Sequence, residues 1–264
     1  NESLQPVQVA AGHAMRDDLA FNRRGVRRDG SVGMPFPLSS FPNPLGRTGY
    51  LYLEGPIDPT VGLFCARTDD MRYPAMVLHH TCHPVNVFAY QMPAVSADWP
   101  GRWCDGISKT LNGPATPMVL NGCCGNVNPW PPFELDFKPD HRRMGDELAE
   151  TSRQILPTLE FKDTADVEAR RRDLRLPICD LDGDLLTRAE ELLREQPTPP
   201  WANEEKTAVD REWMTALSFL SVERQRRREG GVPFEVQCMR VGDTAFVGLC
   251  GEPFVEGQLR LKLE

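Results

Sequence analysis

Two short apolar runs constrain this 264-residue chain more than anything else in it. Pro74 to Thr81 (Pro-Ala-Met-Val-Leu-His-His-Thr) and Pro117 to Asn121 (Pro-Met-Val-Leu-Asn) are brief and bounded by turn residues, so each reads as a buried strand. Both end in residues with chemical reach. The first leaves through His83 and Pro84, the second through Gly122-Cys123-Cys124-Gly125-Asn126-Val127-Asn128-Pro129. Strand ends of open α/β sheets are where sites are built. A histidine there can offer an imidazole nitrogen to a cation, and the proline after it restricts the backbone. Glycines at a strand end allow a ligand close to the main chain, and amides in such a turn can face an anion or a developing oxyanion.

The order of elements predicts an α/β fold: a mixed β-sheet core flanked by helices, with an inserted helical pair. After an irregular stretch up to Gly49 come strands near Tyr50 to Leu53, Gly62 to Arg67 and Pro74 to Thr81. A short helix is expected from Pro100 to Leu111, with Asp98 as its cap. The strand at Pro117 to Asn121 leads to an amphipathic helix from His141 to Leu159, in which Met144, Leu148, Ile155, Leu156 and Leu159 recur at helical spacing. Ala165, Val167 and Ala169 alternate as in a half-buried strand, while Leu174 and Leu176 have the other parity, which predicts a bulge or break. Two apolar stripes, one carrying Leu185, Ala189 and Leu192 and one carrying Trp213, Ala216 and Leu220, predict a helical lobe over about 180–230. Phe234 to Val241, Gly242-Asp243 and Thr244 to Leu249 then read as a hairpin. It delivers Glu252 just past a strand end, as the earlier strand delivers His83. The whole of 1–264 is expected to form one catalytic-type domain carrying that lobe.

A net charge of −8 argues against a nucleic-acid partner, since phosphate binding needs a basic surface. No apolar run approaches the ~18 residues of a membrane span, and peripheral lipid contact stays open. Prolines gather in Pro35 to Pro44, Pro129 to Pro132 and Pro197 to Pro200, which read as loops. The eight cysteines form no Cys-x-x-Cys pair, so most are expected to be small buried residues. Composition leaves the compartment open between secreted, periplasmic and cytoplasmic. His79 and His80 read as structural. The Arg226-Arg227-Arg228 run suits a helix C-terminus, and Glu252 also suits a helix N-terminus. A cysteine nucleophile at Cys123 or Cys124 with His83 as base is a weaker reading, because these thiols follow a buried strand.

At His83-Pro84, Ser96-Ala97-Asp98-Trp99-Pro100-Gly101 and Gly125-Asn126-Val127-Asn128-Pro129 the chain resembles the neutral, or alkaline non-lysosomal, ceramidase family, and particularly its shorter bacterial relatives. Asn22-Arg23-Arg24, Gly55-Pro56-Ile57-Asp58-Pro59 and Gly251-Glu252-Pro253-Phe254 agree in the same order. The likeness runs from about Ala20 to the last residue.

The resemblance implies a zinc-dependent amidase that cleaves the N-acyl bond of a lipid such as ceramide. By likeness His83 and Glu252 match two zinc ligands and Arg23 matches an arginine near the substrate. Asn128 stands where the family carries its serine, and Asn126 where it carries an aspartate. Asparagine has no nucleophilic hydroxyl, so metal-activated water would attack, with the Gly125 to Asn128 amides and the Asn128 side chain facing the oxyanion. A family His-x-His segment upstream and a ligating tyrosine downstream have no counterpart here, so the chain is expected to be a fragment holding part of a zinc site. The alternative is a non-catalytic relative that kept the scaffold to bind a lipid or glycan.

Overall fold

The computed structural model describes residues 4–35, 49–89, 94–111, 115–134 and 137–264. In chain order, the strands β1 (Gln8–Met15), β2 (Phe21–Asn22), β3 (Gly25–Arg27), β4 (Val32–Gly33), β5 (Tyr50–Leu53), β6 (Thr60–Arg67) and β7 (Ala75–His80) come first. Then follow α1 (Asn86–Ala89), α2 (Asp98–Ser108), β8 (Pro117–Asn121), β9 (Val127–Asn128) and α3 (His141–Ile155), which a 3-10 turn at Leu156–Thr158 extends. The remainder is β10 (Val167–Leu176), α4 (Gly183–Glu195), α5 (Arg211–Glu229), β11 (Val232–Val241), β12 (Thr244–Leu249) and α6 (Val255–Leu261). The chain divides into two compact units, Asn1–Glu168 with Arg240–Thr244 and Gly251–Glu264, and Ala169–Met239 with Ala245–Cys250.

The first unit is built on a four-stranded sheet in the order β1-β6-β7-β8, antiparallel except for the parallel β7/β8 pair. Alternation explains its core. Val61, Leu63 and Cys65 of β6 and Met76, Leu78 and His80 of β7 point to one face and are all buried. Trp99, Trp103 and Ile107 of α2 and Met144, Leu148 and Ile155 of α3 belong to the same apolar cluster. The Trp103 indole donates to Ser152 Oγ at 2.9 Å, so its one polar atom is satisfied inside that core. A parallel pair cannot be joined by a hairpin, and the crossover from β7 to β8 carries α2. The fold is thus the expected α/β arrangement of a mixed sheet and helices.

The stretch before Gly49 corrects the reading of it as irregular. Gln8–Met15 forms an eight-residue edge strand paired along its length with β6. Its Ala10, Ala11, Gly12 and Ala14 carry little strand propensity, and only the partner strand makes them extended. The Pro35 to Pro44 loop lies, beyond Pro35, outside the described residues. Asp98 is not the cap expected of it: the cap position is Ala97, without a side-chain cap bond, and Asp98 is the first helical residue, at φ 50°, its carboxylate accepting the Trp99 N–H and the Val87 N–H, both at 2.7 Å. Only Cys65, Cys82 and Cys124 of the eight cysteines are fully buried, contrary to expectation.

The cap of α3 gives a test of local stability. Asp140 accepts the N–H groups of Arg142 and Arg143 at 2.9 and 3.1 Å, satisfying donors that the first helical turn leaves unpaired. Asp140→Ala is expected to cost about 1 kcal/mol, read as a lower urea midpoint at unchanged slope.

The second unit contains the helical pair α4/α5 and most of a three-stranded sheet ordered β10-β11-β12. Both helices start on aspartates, with Asp182 accepting from Asp184 and Leu185 N–H and Asp210 from Trp213 N–H. Small Ala189 and Ala216 are the buried apolar residues of this pair. The Arg226 and Arg227 guanidiniums both pair with Glu223, at 2.7 and 2.6 Å, and Gly230 ends α5 at φ 65°. Of the bulge or break expected between Ala169 and Leu174, the break is not found, since β10 runs through both as one ten-residue strand. The hairpin of β11 and β12 turns at Gly242, which has φ 58°.

Candidate functional site

Strand register brings the first two side chains together. Parallel pairing sets His80 opposite Asn121, so His83 and Cys124 stand equally far beyond one rung of the sheet. The Asn121 amide links the two exits by accepting the Cys82 N–H at 3.3 Å and donating to the Cys82 carbonyl at 3.0 Å. The His83 N–H donates to the Val127 carbonyl at 3.0 Å, and the Trp99 indole donates to the His83 carbonyl at 3.3 Å. With its backbone tied on both sides, His83 is 8% exposed. Its Nδ1 lies 3.2 Å from Cys124 Sγ. Burial, followed by the nearby Arg23 charge, pushes the His83 pKa below its usual 6.5, against the opposing pull of Glu252. The ring is therefore neutral at pH 7, as a metal ligand must be.

His83 Nε2 faces Glu252, whose Oε2 is 3.5 Å away. The expected convergence of these groups is what the geometry contains. Glu252 sits on the segment between β12 and α6 with a 68% exposed side chain, so one partner is enclosed and the other wet. The turn after β8 holds that segment. Gly125 donates its N–H to the Pro253 carbonyl at 2.9 Å, and a Cβ at Gly125 would lie 2.2 Å from the Glu252 carbonyl oxygen. Asn126, fully buried, accepts the Val255 N–H at 2.9 Å and donates to Glu256 at 2.9 Å. Asn126 therefore serves the N-terminus of α6, and Glu252 does not.

A second anchor fixes α6 itself. Gln258 accepts the Cys123 N–H at 2.6 Å and donates to Thr81 Oγ1 at 2.7 Å and to the buried Asp58 carboxylate. Lys262 Nζ reaches the same carboxylate at 2.6 Å. Burial alone would raise the Asp58 pKa, but bonds from Lys262, Thr60 and Gln258 outweigh it and bring the group down to about 2.

The remaining candidates divide. The Arg23 guanidinium donates to the Gly125 carbonyl at 3.1 and 2.7 Å, and its backbone N–H donates to the Asn126 carbonyl at 2.8 Å. Arg24 and Arg27 instead turn to Glu54 and Tyr50. The Gly125 amide is spent on Pro253 and the Val127 amide on the Cys124 carbonyl at 2.9 Å, so neither is free to face an oxyanion. That corrects the expectation for Gly125: it is a spacer that lets Glu252 approach. Asn128 differs. It is 4% exposed, its Nδ2 touches only Met34 Sδ at 3.6 Å, and its Oδ1 is buried without a partner among the described residues. An unspent buried amide has hydrogen-bonding capacity left for a ligand.

His79 and His80 are structural, with Nδ1 atoms on the Leu120 carbonyl at 3.0 Å and the Thr60 carbonyl at 3.2 Å. Full burial takes the His80 pKa to about 4. Burial pushes the Cys124 thiol up to about 11 and leaves it 6% exposed, which is the setting of an inert thiol rather than a nucleophile. Motif reading paired Cys123 or Cys124 with His83 only as a nucleophile with its base, and did not single out Cys124 as the neighbour of the imidazole. The register of β7 against β8 is the signal that finds it.

The donor pair suits a cation. Two donors bound at about 2.0–2.1 Å to a tetrahedral zinc lie roughly 3.3 Å apart. The observed 3.5 Å is close to that edge and longer than an ordinary N–H···O bond. Among the described residues no group of three or more His, Cys, Asp or Glu side chains is arranged to hold a metal ion. The pair alone has the spacing of two zinc donors.

The neutral ceramidase from Pseudomonas aeruginosa matches over 98% of this chain and 42% of its own, at a TM-score of 0.57 and 16% identity. A ceramidase complexed with C2 matches over 98% of this chain and 44% of its own, at 0.57 and 15%. The fold is ceramidase-like. The chain spans less than half the length of either ceramidase. No protein-family profile matches it, and no curated protein does. On this ceramidase-like fold, His83 and Glu252 lie at the edge where β7, β8 and the segment before α6 meet.

Proposed function

We propose that the chain is the ceramidase-like part of a zinc-dependent amide hydrolase that cleaves the N-acyl bond of a lipid or related small amide. The observation that supports this reading best is the 3.5 Å approach of a neutral, enclosed imidazole to a solvent-facing carboxylate. His83 Nε2 and Glu252 would hold the ion, with other donors and water completing its shell. Bound zinc would polarise the scissile carbonyl and bring a water toward a neutral pKa. Asn128 has no hydroxyl, so attack falls to water rather than to a side chain. The Asn128 amide, with its carbonyl oxygen unpartnered among the described residues and its NH2 on a weak sulfur contact, donates to the developing oxyanion through that NH2. Arg23, already bound to the rim of that turn, orients the substrate. Among the described residues no helix is long and apolar enough to cross a membrane, and lipid would be met by peripheral contact.

The test is zinc content and hydrolysis of a panel of N-acyl amides, ceramide included, for the protein and for His83→Ala. Loss of at least tenfold in zinc affinity together with loss of turnover is expected. Undiminished zinc in the variant would remove His83 from the site. One observation favours a second reading, a non-catalytic binder of lipid or glycan: the Gly125 and Val127 amides are already engaged. Binding of an N-acyl lipid without turnover by the zinc-loaded wild type would decide for it.

A further inference from the structure

Cys124 has no part in the chemistry above, yet it makes the closest polar contact to the His83 ring. Its sulfur is 3.2 Å from Nδ1 and also accepts from Asn121 Nδ2 at 3.4 Å. On the other side of the ring, Nε2 is 3.5 Å from Glu252, beyond ordinary N–H···O reach. In a neutral imidazole, the nitrogen whose partner accepts carries the proton and the other nitrogen bares its lone pair; the Asn121 amide already donates to the Cys124 sulfur, which marks that sulfur as an acceptor here. Metal-binding histidines are oriented by a partner on their second nitrogen, most often a carboxylate or a carbonyl. Here a buried thiol occupies that place.

We propose that Cys124 is the positioning residue of His83: its sulfur accepts the Nδ1–H, fixing the ring plane and the tautomer so that the Nε2 lone pair is aimed at the cation position beside Glu252. The proposal deepens the zinc reading and rests on it for its purpose. Asn121, bonded to both Cys82 and Cys124, sets the sulfur at the same rung from which His83 departs. Cys124 and His83 are 41 residues apart in sequence, so the contact exists only through the sheet.

The experiment reads the full chain by imidazole nitrogen-15 spectra without metal, and by zinc affinity in chelator competition. In the wild type the His83 signals are expected to report a single tautomer with a protonated Nδ1 and a bare Nε2. Cys124→Val, which fills the space without an acceptor, is expected to mix or invert the tautomer and to weaken zinc ten- to a hundred-fold. Cys124→Ser, which restores an acceptor, is expected to recover most of both. A wild-type spectrum with the proton on Nε2 overturns the proposal whether or not any variant folds. So does a folded Cys124→Val with unchanged tautomer and affinity. Failure of the zinc reading looks different: the wild type would hold its tautomer through Cys124 and bind no zinc.

Discussion

Replacing Gly125 by alanine is expected to cost about 3 kcal/mol of stability, the upper end for forcing extra atoms into a packed position, and to abolish zinc binding. The new Cβ would lie 2.2 Å from the Glu252 carbonyl oxygen and 2.9 Å from that of Pro253. Both are backbone atoms, so no rotamer change relieves the clash. Relief requires the segment before α6 to move away, which breaks the Gly125 N–H bond to Pro253 and carries Glu252 from His83. Urea unfolding would read the stability loss and chelator competition the zinc loss. A variant with native stability and native zinc affinity would mean that the turn after β8 does not set the His83–Glu252 distance.

Asp58→Asn is expected to lower stability by about 2 kcal/mol at pH 7, and the deficit is expected to vanish in acid. The Asp58 carboxyl is held at about 2 in the folded chain against an ordinary 3.8, so the folded state prefers the ionised form. A depressed carboxyl contributes its stability in full above the unfolded value. That contribution is lost as pH falls from about 4 toward 2. Other carboxylates with lowered pKa values titrate in the same range, Asp18 and Asp70 among them. The informative quantity is therefore the difference between wild type and variant. Lys262 is 40% exposed and can turn to solvent when its partner is neutralised, which keeps the cost below that of a fully stranded buried charge. Parallel pH curves, with a constant gap down to pH 2, would show that Asp58 is not the group responsible.

The convergence of His83 and Glu252 was legible because each follows directly on a strand, and strand ends are what position alone reveals. Helix α3 was legible from its period, and β8 as a strand from its flanking breakers, though not as the buried strand expected, since Met118, Leu120 and Asn121 are exposed. β1 was not, because alanines and glycine take their conformation from the strand beside them. β10 was misread for a related reason: eight of its ten residues are exposed, Val167 and Ala169 among them, and the two half-buried ones, Glu168 and Leu174, share one parity, so no switch of face occurs. The tasks of Gly125, Asn126 and Cys124 depend on partners that only the folded register brings close. A motif names residue types at a turn, whereas the partner of each amide decides whether it is free for chemistry.

The parallel pairing of β7 with β8 has a kinetic consequence. Its crossover must close before His83 can meet Cys124, and contacts such as Asn126 to Glu256, 130 residues apart, must then close a far longer loop. Long-range closures come late on a folding path, after local helices such as α3 and α5 have formed. A refolding chain would thus regain its helical signal well before its affinity for metal, and the same late contacts would be first to open under mild denaturant.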